Sequence, residues 1–407
     1  MIKDGKRRRS SRCFARLCSS SPLAATAVSN SLFNFFSKNR ALFSVPLTVS
    51  VFCAGLAMIS CLLFAGCGGD QPAQVEKFVI ADFRNKLLDI EWVNGQEGWI
   101  VGSNGLILHT ADSGRTWQRQ ESRTIKSLRM VSFVDTRHGW AVGGSGTILH
   151  TADGGATWAA QKSDTTDDLL CIKFIDQNRG FAGGVFATFL VTNDGGKTWE
   201  KPSVLTEEEE PIIPENISLE EKMKLLKEEF EAEEELEEEE TLEVADPMIN
   251  SIFFLDAQKG WIACEAGVIW HTADGGATWS KQNSGTPEDL FSIYFRNPQE
   301  GWATGLNGVL VHTADGGSSW QVQDSTADRS IFAISFVGDV GYGVGNAGTM
   351  VKSTDGGKTW MPYAAPNVQI TSWLRDITSV DGRFTVVGGL GTILMCDPQN
   401  DAWEKIG

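Results

Sequence analysis

The chain has 407 residues, 42% of them apolar, enough for one large domain or for two or three ordinary ones with a sizeable core. Its formal charge of −17 is local: residues 203–246 hold eighteen Glu and one Asp against three Lys, and the remainder is nearly neutral. This excludes the basic face that nucleic-acid binding requires, while fourteen Trp and 43 Gly against three Tyr call for a periodic explanation.

Residues 1–66 carry a single acid, Asp4, beside the basic run Lys6–Arg12 and then Lys38 and Arg40. The stretch Ala41–Gly66 is apolar and runs into Cys67, which two glycines follow. Basic flank, apolar core, small residues and Cys resemble a bacterial lipoprotein signal peptide, with Phe64 where Leu is usual. The resemblance implies that Cys67 is lipidated, that residues 67–77 are tether and linker, and that the protein sits in the cell envelope, outside the cytosol. Two other readings stay open. The apolar run is long enough to anchor the chain as an uncleaved span over 41–66. The abundance of Arg and Ser suits a transit peptide to an organelle lumen. Of the eight cysteines, five lie at or before Cys67; Cys171, Cys264 and Cys396 fall in separate repeats, which is no disulfide framework.

From residue 78 to 407 one unit recurs. The string HTADGGATW occurs at His150–Trp158 and again at His271–Trp279, with near-copies ending at Trp117 and Trp320. The Trp residues that close the motif are Trp117, Trp158, Trp199, Trp279, Trp320, Trp360 and Trp403, at steps of 41, 41, 80, 41, 40 and 43. The double step contains the acidic stretch, so there are seven copies and one insert, 203–246, between the third and fourth. Each copy reads as four short strands divided by Gly or Asp turns: in the second, Leu128–Asp135, Gly139–Gly144, Thr147–Thr151 and Thr157–Gln161. Four strands about every 40 residues predict an all-β, seven-bladed β-propeller of four-stranded antiparallel blades, monomeric as a ring.

The repeated turn has a physical reason. An Asp carboxylate accepts backbone N–H groups in a tight turn, the glycines take positive φ, and the Trp fixes the turn against the blade. The pattern Ser/Thr-x-Asp-x-Gly-x-x-Trp resembles the Asp box of the sialidase-like propellers, with Asp112/Trp117, Asp153/Trp158, Asp194/Trp199, Asp274/Trp279, Asp315/Trp320 and Asp355/Trp360 in structural roles. The seventh copy, Asp397 to Trp403, lacks the glycines. Its outer strand has two candidates, Ala402–Ile406 and the N-terminal Val75–Ile80, and the N-terminal one is expected to help close the ring.

Within the insert, Ser218 and Glu221 form a capping box and Leu219, Met223, Leu226 and Phe230 recur at helical spacing, predicting a helix over about 218–232. It would emerge on the face opposite the motif turns. It reads equally as a partner-docking helix, an acidic flap or a solvated low-complexity tail.

Chemistry is scarce. His109, His150, His271 and His312 belong to four blades that point apart, so no metal site is expected, and no cofactor. A sialidase-type glycoside hydrolase is the enzyme alternative. It needs an arginine cluster, a Tyr nucleophile with a Glu partner, and an Asp acid, and its usual Phe-Arg-Ile-Pro motif is only mimicked by Tyr294–Pro298. A convergent cluster of carboxylates or arginines on the central face would favour that enzyme, or a glycan-binding protein; a flat or merely charged face would favour a scaffold.

The unit L-x-x-I/V-x-F…G-W-x-V-G-x-x-G-x-I-L-x-T-x-D-G-G-x-T-W, cleanest in Leu87–Trp117, resembles the photosystem II stability and assembly factor family, seven-bladed lumenal propellers with relatives in many non-photosynthetic bacteria. The lipoprotein-like leader groups this chain with those relatives, and the acidic insert departs from the pattern. The resemblance implies a non-enzymatic scaffold for membrane or extracytoplasmic proteins, with a surface arginine patch in the photosynthetic members. Arg123, Arg129, Arg329 and Arg375, in or just after the connections between blades, are the matching candidates. The docking candidates of the insert are Leu219, Met223, Leu226 and Phe230.

Overall fold

Seven antiparallel sheets follow one another along the chain, each with its strands side by side in sequence order. They are seen in a computed structural model that describes residues 85–202 and 247–406. Blade 1 comprises Leu87–Trp92, Gly98–Gly102, Ile107–Thr110 and Gln118–Gln120; blade 7 comprises Leu374–Val380, Arg383–Gly388, Ile393–Asp397 and Ala402–Lys405. Each innermost strand adjoins that of the next blade, and the innermost strand of blade 7 adjoins that of blade 1, closing the ring.

The hydrophobic cores lie between blades rather than within them. Trp99, Val101 and Ile107 of blade 1 pack with Leu128, Val131, Phe133, Ala141, Leu149 and Trp158 of blade 2. Second strands are therefore covered on both faces and read as unbroken apolar runs; Gly98–Gly102 and Gly139–Gly143 are buried throughout. The glycine before each second-strand aromatic makes room for the ring of the innermost strand. A Cβ on Gly139 would lie 2.4 Å from Phe133, whose ring stacks on Trp99 at 3.7 Å.

The motif turn forms as its residue types require. Thr151 Oγ1 donates to Asp153 Oδ1 (2.8 Å) and accepts from Gly155 N (2.8 Å). Asp153 in turn accepts from Thr157 N (2.8 Å) and Thr157 Oγ1 (2.7 Å). The bonds from Thr157 hold the Asp153 carboxyl down at about 2. The turn is also a joint between blades. Trp158 Nε1 donates to Gln120 Oε1 (3.0 Å), and Gln120 Nε2 donates to Gly154 O (2.8 Å), which Trp99 Nε1 also reaches (3.4 Å). Gly155 has φ 86°, and a Cβ there would meet Gln120 Oε1 at 1.9 Å, so the motif's second glycine is fixed by the neighbouring blade. The same joint recurs with Gln161, Gly195 and Trp199, and in part with Gln282, Trp320 and Gly316.

Two details differ from expectation. Among the described residues blade 3 has three strands, and its fourth is reduced to the pair Val191–Glu200. Pro202 stands where other blades carry the joint Gln, and with no N–H it cannot extend the ladder. In blade 7 the outer position is filled by Ala402–Lys405, not by N-terminal chain. Trp403 holds that strand down, buried against Tyr342 at 5.2 Å. The first described N-terminal residue, Asn85, still reaches blade 7, accepting from Gly391 N (2.9 Å). Val75–Ile80, Cys67 and the insert candidates Leu219, Met223, Leu226 and Phe230 lie outside the described residues.

Turn order gives the ring two faces. The first-to-second-strand turns bond the motif turns on one face, as Gly154 N does to Arg137 O (2.9 Å). The second-to-third-strand turns bond the connections between blades on the other, as Gly105 N does to Lys126 O (2.8 Å).

Candidate partner-binding site

The innermost strands converge on a central channel. In every blade the pairing of the first two strands slips by one residue, skipping the second residue of the innermost strand. Such a bulge re-aims a side chain. The seven skipped residues, Leu88, Arg129, Leu170, Asn250, Phe291, Phe332 and Arg375, form a collar at the mouth, on the face opposite the motif turns. Neighbours in it touch: Phe291 and Phe332 lie 5.6 Å apart, the Arg375 guanidinium sits 5.2 Å over Phe332, and Asn250 Nδ2 donates to Leu290 O (2.9 Å).

Two of the four candidate arginines belong to this collar. Arg129 is exposed and Arg375 half-buried, and each lies within the other's electrostatic reach across blade 1. Burial draws Arg375 below the usual guanidinium value; the deeper Asp376 and Asp89 oppose that, and Arg129 adds to it. Among the described residues neither arginine makes a hydrogen bond or an ion pair within 4 Å. Two like charges held together with no ion pair at the mouth, their nearest carboxyls lying deeper, suit an incoming anion with an apolar neighbour on this aromatic shelf. The other two candidates stand on outer loops of the same face. Arg123 is exposed at φ 58°, and Arg329 faces Asp328 at 3.8 Å.

Below the mouth the channel is filled. Ile90 N donates to Asp376 Oδ2 (3.2 Å), Val131 N to Asp89 Oδ2 (2.8 Å) and Phe174 N to Ser132 Oγ (3.1 Å). Side chains of one blade thus satisfy innermost-strand N–H groups of the next. Lys173 spans blade 2 to pair with Glu91 at 3.1 Å, and that carboxylate raises the Lys173 pKa. Asp89 and Asp376, each holding an innermost-strand N–H of the next blade, lie within each other's electrostatic reach. Burial and then Asp376 push Asp89 well above the carboxylate range, and burial raises Asp376 as well. Two buried carboxyls so placed share one proton. The site therefore contains the arginines and carboxylates that would favour an enzyme. Its carboxyls, however, each hold a strand N–H instead of standing free ~5–9 Å apart across a glycosidic bond.

Tyr342 and Tyr363 serve the joint between blades 6 and 7. Both donate to Asp401 Oδ1, at 2.7 and 2.8 Å, which Lys352 also reaches at 2.9 Å. Tyr294 packs on Phe336. The four motif histidines stack on their blades' own Trp rings at 4.6 to 5.0 Å, and burial lowers their pKa values. Sequence reasoning found Arg129 and Arg375 but missed Phe291, Phe332, Asp89 and Asp376. For Phe291 and Phe332 the signal was available: the collar positions recur at nearly the spacing of the motif Trp residues.

The sequence profile of the family described as Photosynthesis system II assembly factor YCF48 matches residues 122–169, 158–226, 231–326 and 283–405. Two solved structures bearing that name are similar in fold. YCF48 bound to D1 peptide is 19% identical, with a TM-score of 0.56 over 77% of this chain and 93% of that one. YCF48 from Cyanidioschyzon merolae is 20% identical, with a TM-score of 0.59 over 78% and 97%. The WD40 propeller domain of Doa1 shares the fold at 9% identity and a TM-score of 0.55, covering 78% and 94%. No curated protein matches. With the ring, its repeated joints and a profile match over more than half of its length, the chain belongs to the photosystem II assembly factor YCF48 family.

Proposed function

We propose that this protein is a non-enzymatic, extracytoplasmic scaffold, tethered to a membrane by its N-terminal segment, that holds an extended acidic segment of a membrane-protein partner at the channel mouth. The observation that carries this reading is the pair Arg129 and Arg375, without an ion pair among the described residues, beside Phe291 and Phe332 at the channel mouth. A family relative bound to a D1 peptide supports a peptide as the ligand class. The test is fluorescence anisotropy of the full-length protein with short peptides of apolar residues ending in Asp or Glu. Arg129→Gln with Arg375→Gln should weaken binding at least tenfold, on the order of 1.4 kcal/mol, while leaving the melting temperature in place. Unchanged affinity would sink the proposal. Cross-linking in source membranes, with and without residues 203–246, then shows whether partner capture needs the insert.

The enzyme alternative retains one supporting observation, carboxyls and arginines in one central cluster. A glycan-hydrolysis screen decides it: turnover abolished by Asp89→Asn would replace the scaffold reading.

A further inference from the structure

The face that bears the channel mouth is electrically divided. Along blades 3 to 5 its loops carry Asp164, Asp167, Asp168, Glu265, Glu288 and Asp289. From blade 7 to the connection between blades 1 and 2 the sign reverses, the boundary being Ser145, whose N donates to Asp168 Oδ1 (2.8 Å). Lys86, Arg123 and Lys126 are exposed there, and none is in an ion pair among the described residues. The acid in this sector, Glu121, turns back to accept from Arg123 N (3.3 Å).

The same sector exposes two large aliphatic side chains, Ile125 at 86% and Leu390 at 47%. Leu390 is held at φ 57°, at a turn apex where other blades place Asn104, Ser145, Ala266, Asn307 or Ala347, and where blade 3, in the acidic half, places the exposed Phe186. A bulky residue in the left-handed region is strained, and its exposure gives no packing in return. One rim links these residues. Gly391 N donates to Asn85 O (2.9 Å), Lys86 N to Ser103 Oγ (3.0 Å), Gly105 N to Lys126 O (2.8 Å) and Lys126 Nζ to Ser145 Oγ (3.0 Å).

We propose that this rim is a bilayer-docking edge: Ile125 and Leu390 enter the interfacial layer of an anionic leaflet, while Lys86, Arg123 and Lys126 engage lipid phosphates. Three features select a lipid surface as the occupant. Basic residues interleaved with apolar tips fit anionic headgroups over acyl chains. The tips are separated by a polar turn, whereas a protein interface needs a contiguous patch. The chain also enters the ring on this rim, at Asn85, eighteen residues after Cys67 and the apolar run that precedes it. That length spans at most about 60 Å. The inference stands apart from peptide binding, and the collar arginines are left intact in its test.

Full-length protein is reconstituted in phosphatidylglycerol vesicles and, separately, in detergent micelles; exposed lysines are acetylated and quantified by mass spectrometry. Labelling of Lys86 and Lys126 should fall at least roughly fivefold in vesicles, the scale of one basic residue at an anionic surface. Lys197 and Lys358, on the motif-turn face, should be unchanged. Ile125→Ser with Leu390→Ser should restore labelling at an unaltered melting temperature. Phe186→Ser, which removes an exposed aromatic from the acidic half, should not. Equal labelling of Lys86 and Lys126 in micelles and vesicles, or protection that survives the double serine variant, overturns the proposal. Equal protection in zwitterionic phosphatidylcholine likewise overturns the proposal of an anionic leaflet as the occupant.

Discussion

Asp89 and Asp376 join the last blade to the first through a shared proton, and that proton has a thermodynamic signature. Both carboxyls have folded pKa values above their unfolded ones, because burial disfavours charge on each and Asp376 further disfavours it on Asp89. A raised carboxyl contributes stability that is complete below its unfolded pKa, near 4, and is lost as pH rises through the folded value. Asp89→Asn keeps an oxygen for Val131 N and supplies an amide hydrogen for Asp376 without a titrating proton. Its melting temperature should therefore fall less than that of the wild type between pH 5 and 8, measured by calorimetry; parallel profiles would show that no proton is shared. Nothing in the sequence announced this pair. The motif Asp and Trp residues were legible because the same types repeat at one period. The collar and channel positions keep the period but change type from blade to blade, Leu88 to Arg129 to Phe291, since each meets a different neighbour across the axis. Repetition reveals what every blade needs, and a site is built from what one blade alone supplies.

At the level of the element, the motif turn is a cap in which one carboxylate replaces several backbone partners. Asp153→Ala should cost about 1 kcal/mol in chemical denaturation, the scale of a lost helix cap. Asp397→Ala in the seventh copy should cost less, since that carboxylate accepts only from Gln399 N (3.0 Å) and Asn400 Nδ2 (3.1 Å). The turns also set the acid limit. Hydrogen bonds from Thr157, Thr198, Ser319 and Thr359 hold Asp153, Asp194, Asp315 and Asp355 at about 2. A lowered carboxyl stabilises fully above the unfolded value and fails as pH falls through the folded one, so the ring should lose stability between about pH 4 and 2. A circular-dichroism titration with its midpoint above pH 4 would place the acid failure elsewhere. Strand number was legible wherever the Gly-aromatic and Trp markers bracket a full repeat. It was misread in blade 3, where the marker Trp199 is present but Pro202 ends the strand it should introduce. Ring closure was misread for a related reason: Ala402–Lys405 lost the glycines that mark its siblings while keeping the Trp that fastens it.

For the whole molecule, stability depends on seven seams that are not equal. Two carry the full Gln–Gly–Trp joint, between blades 1 and 2 and between 2 and 3, and the seam between 4 and 5 keeps its Trp–Gln and Trp–Gly bonds. Between blades 6 and 7 it is rebuilt from Tyr342, Tyr363, Asp401 and Trp403, whose Nε1 donates to Tyr363 Oη (2.9 Å). The seams between blades 3 and 4, 5 and 6, and 7 and 1 have neither: Trp360 Nε1 and Trp117 Nε1 are buried without a partner among the described residues, and the first of these seams has changed most. There Phe181 replaces the second-strand Trp, Pro202 replaces the Gln, and buried Trp279 Nε1 has no partner. What remains is an aromatic cluster, with Phe181 and Phe189 at 6.2 and 5.9 Å from Trp279. Leaving a buried donor unpaired costs about 1–3 kcal/mol. Gln161→Leu, which orphans Trp199 Nε1 in the seam between blades 2 and 3, should destabilise the ring by that order. The natural gap at blades 3 and 4 already bears this cost, and Phe189–Thr192 has lost most of its outer ladder. Local opening follows the weakest hydrogen-bonded edge, so the ring should breathe there first. Hydrogen exchange read by mass spectrometry should show Phe189–Thr192 less protected than Ile148–Thr151, and Gln161→Leu should bring the latter towards the former. Uniform protection of all third strands would mean that packing alone sets the seams and that the polar joint only fixes their register. The acidic insert leaves the ring at this seam, so a segment of eighteen Glu is attached where the polar joint is missing and the outer ladder is shortest.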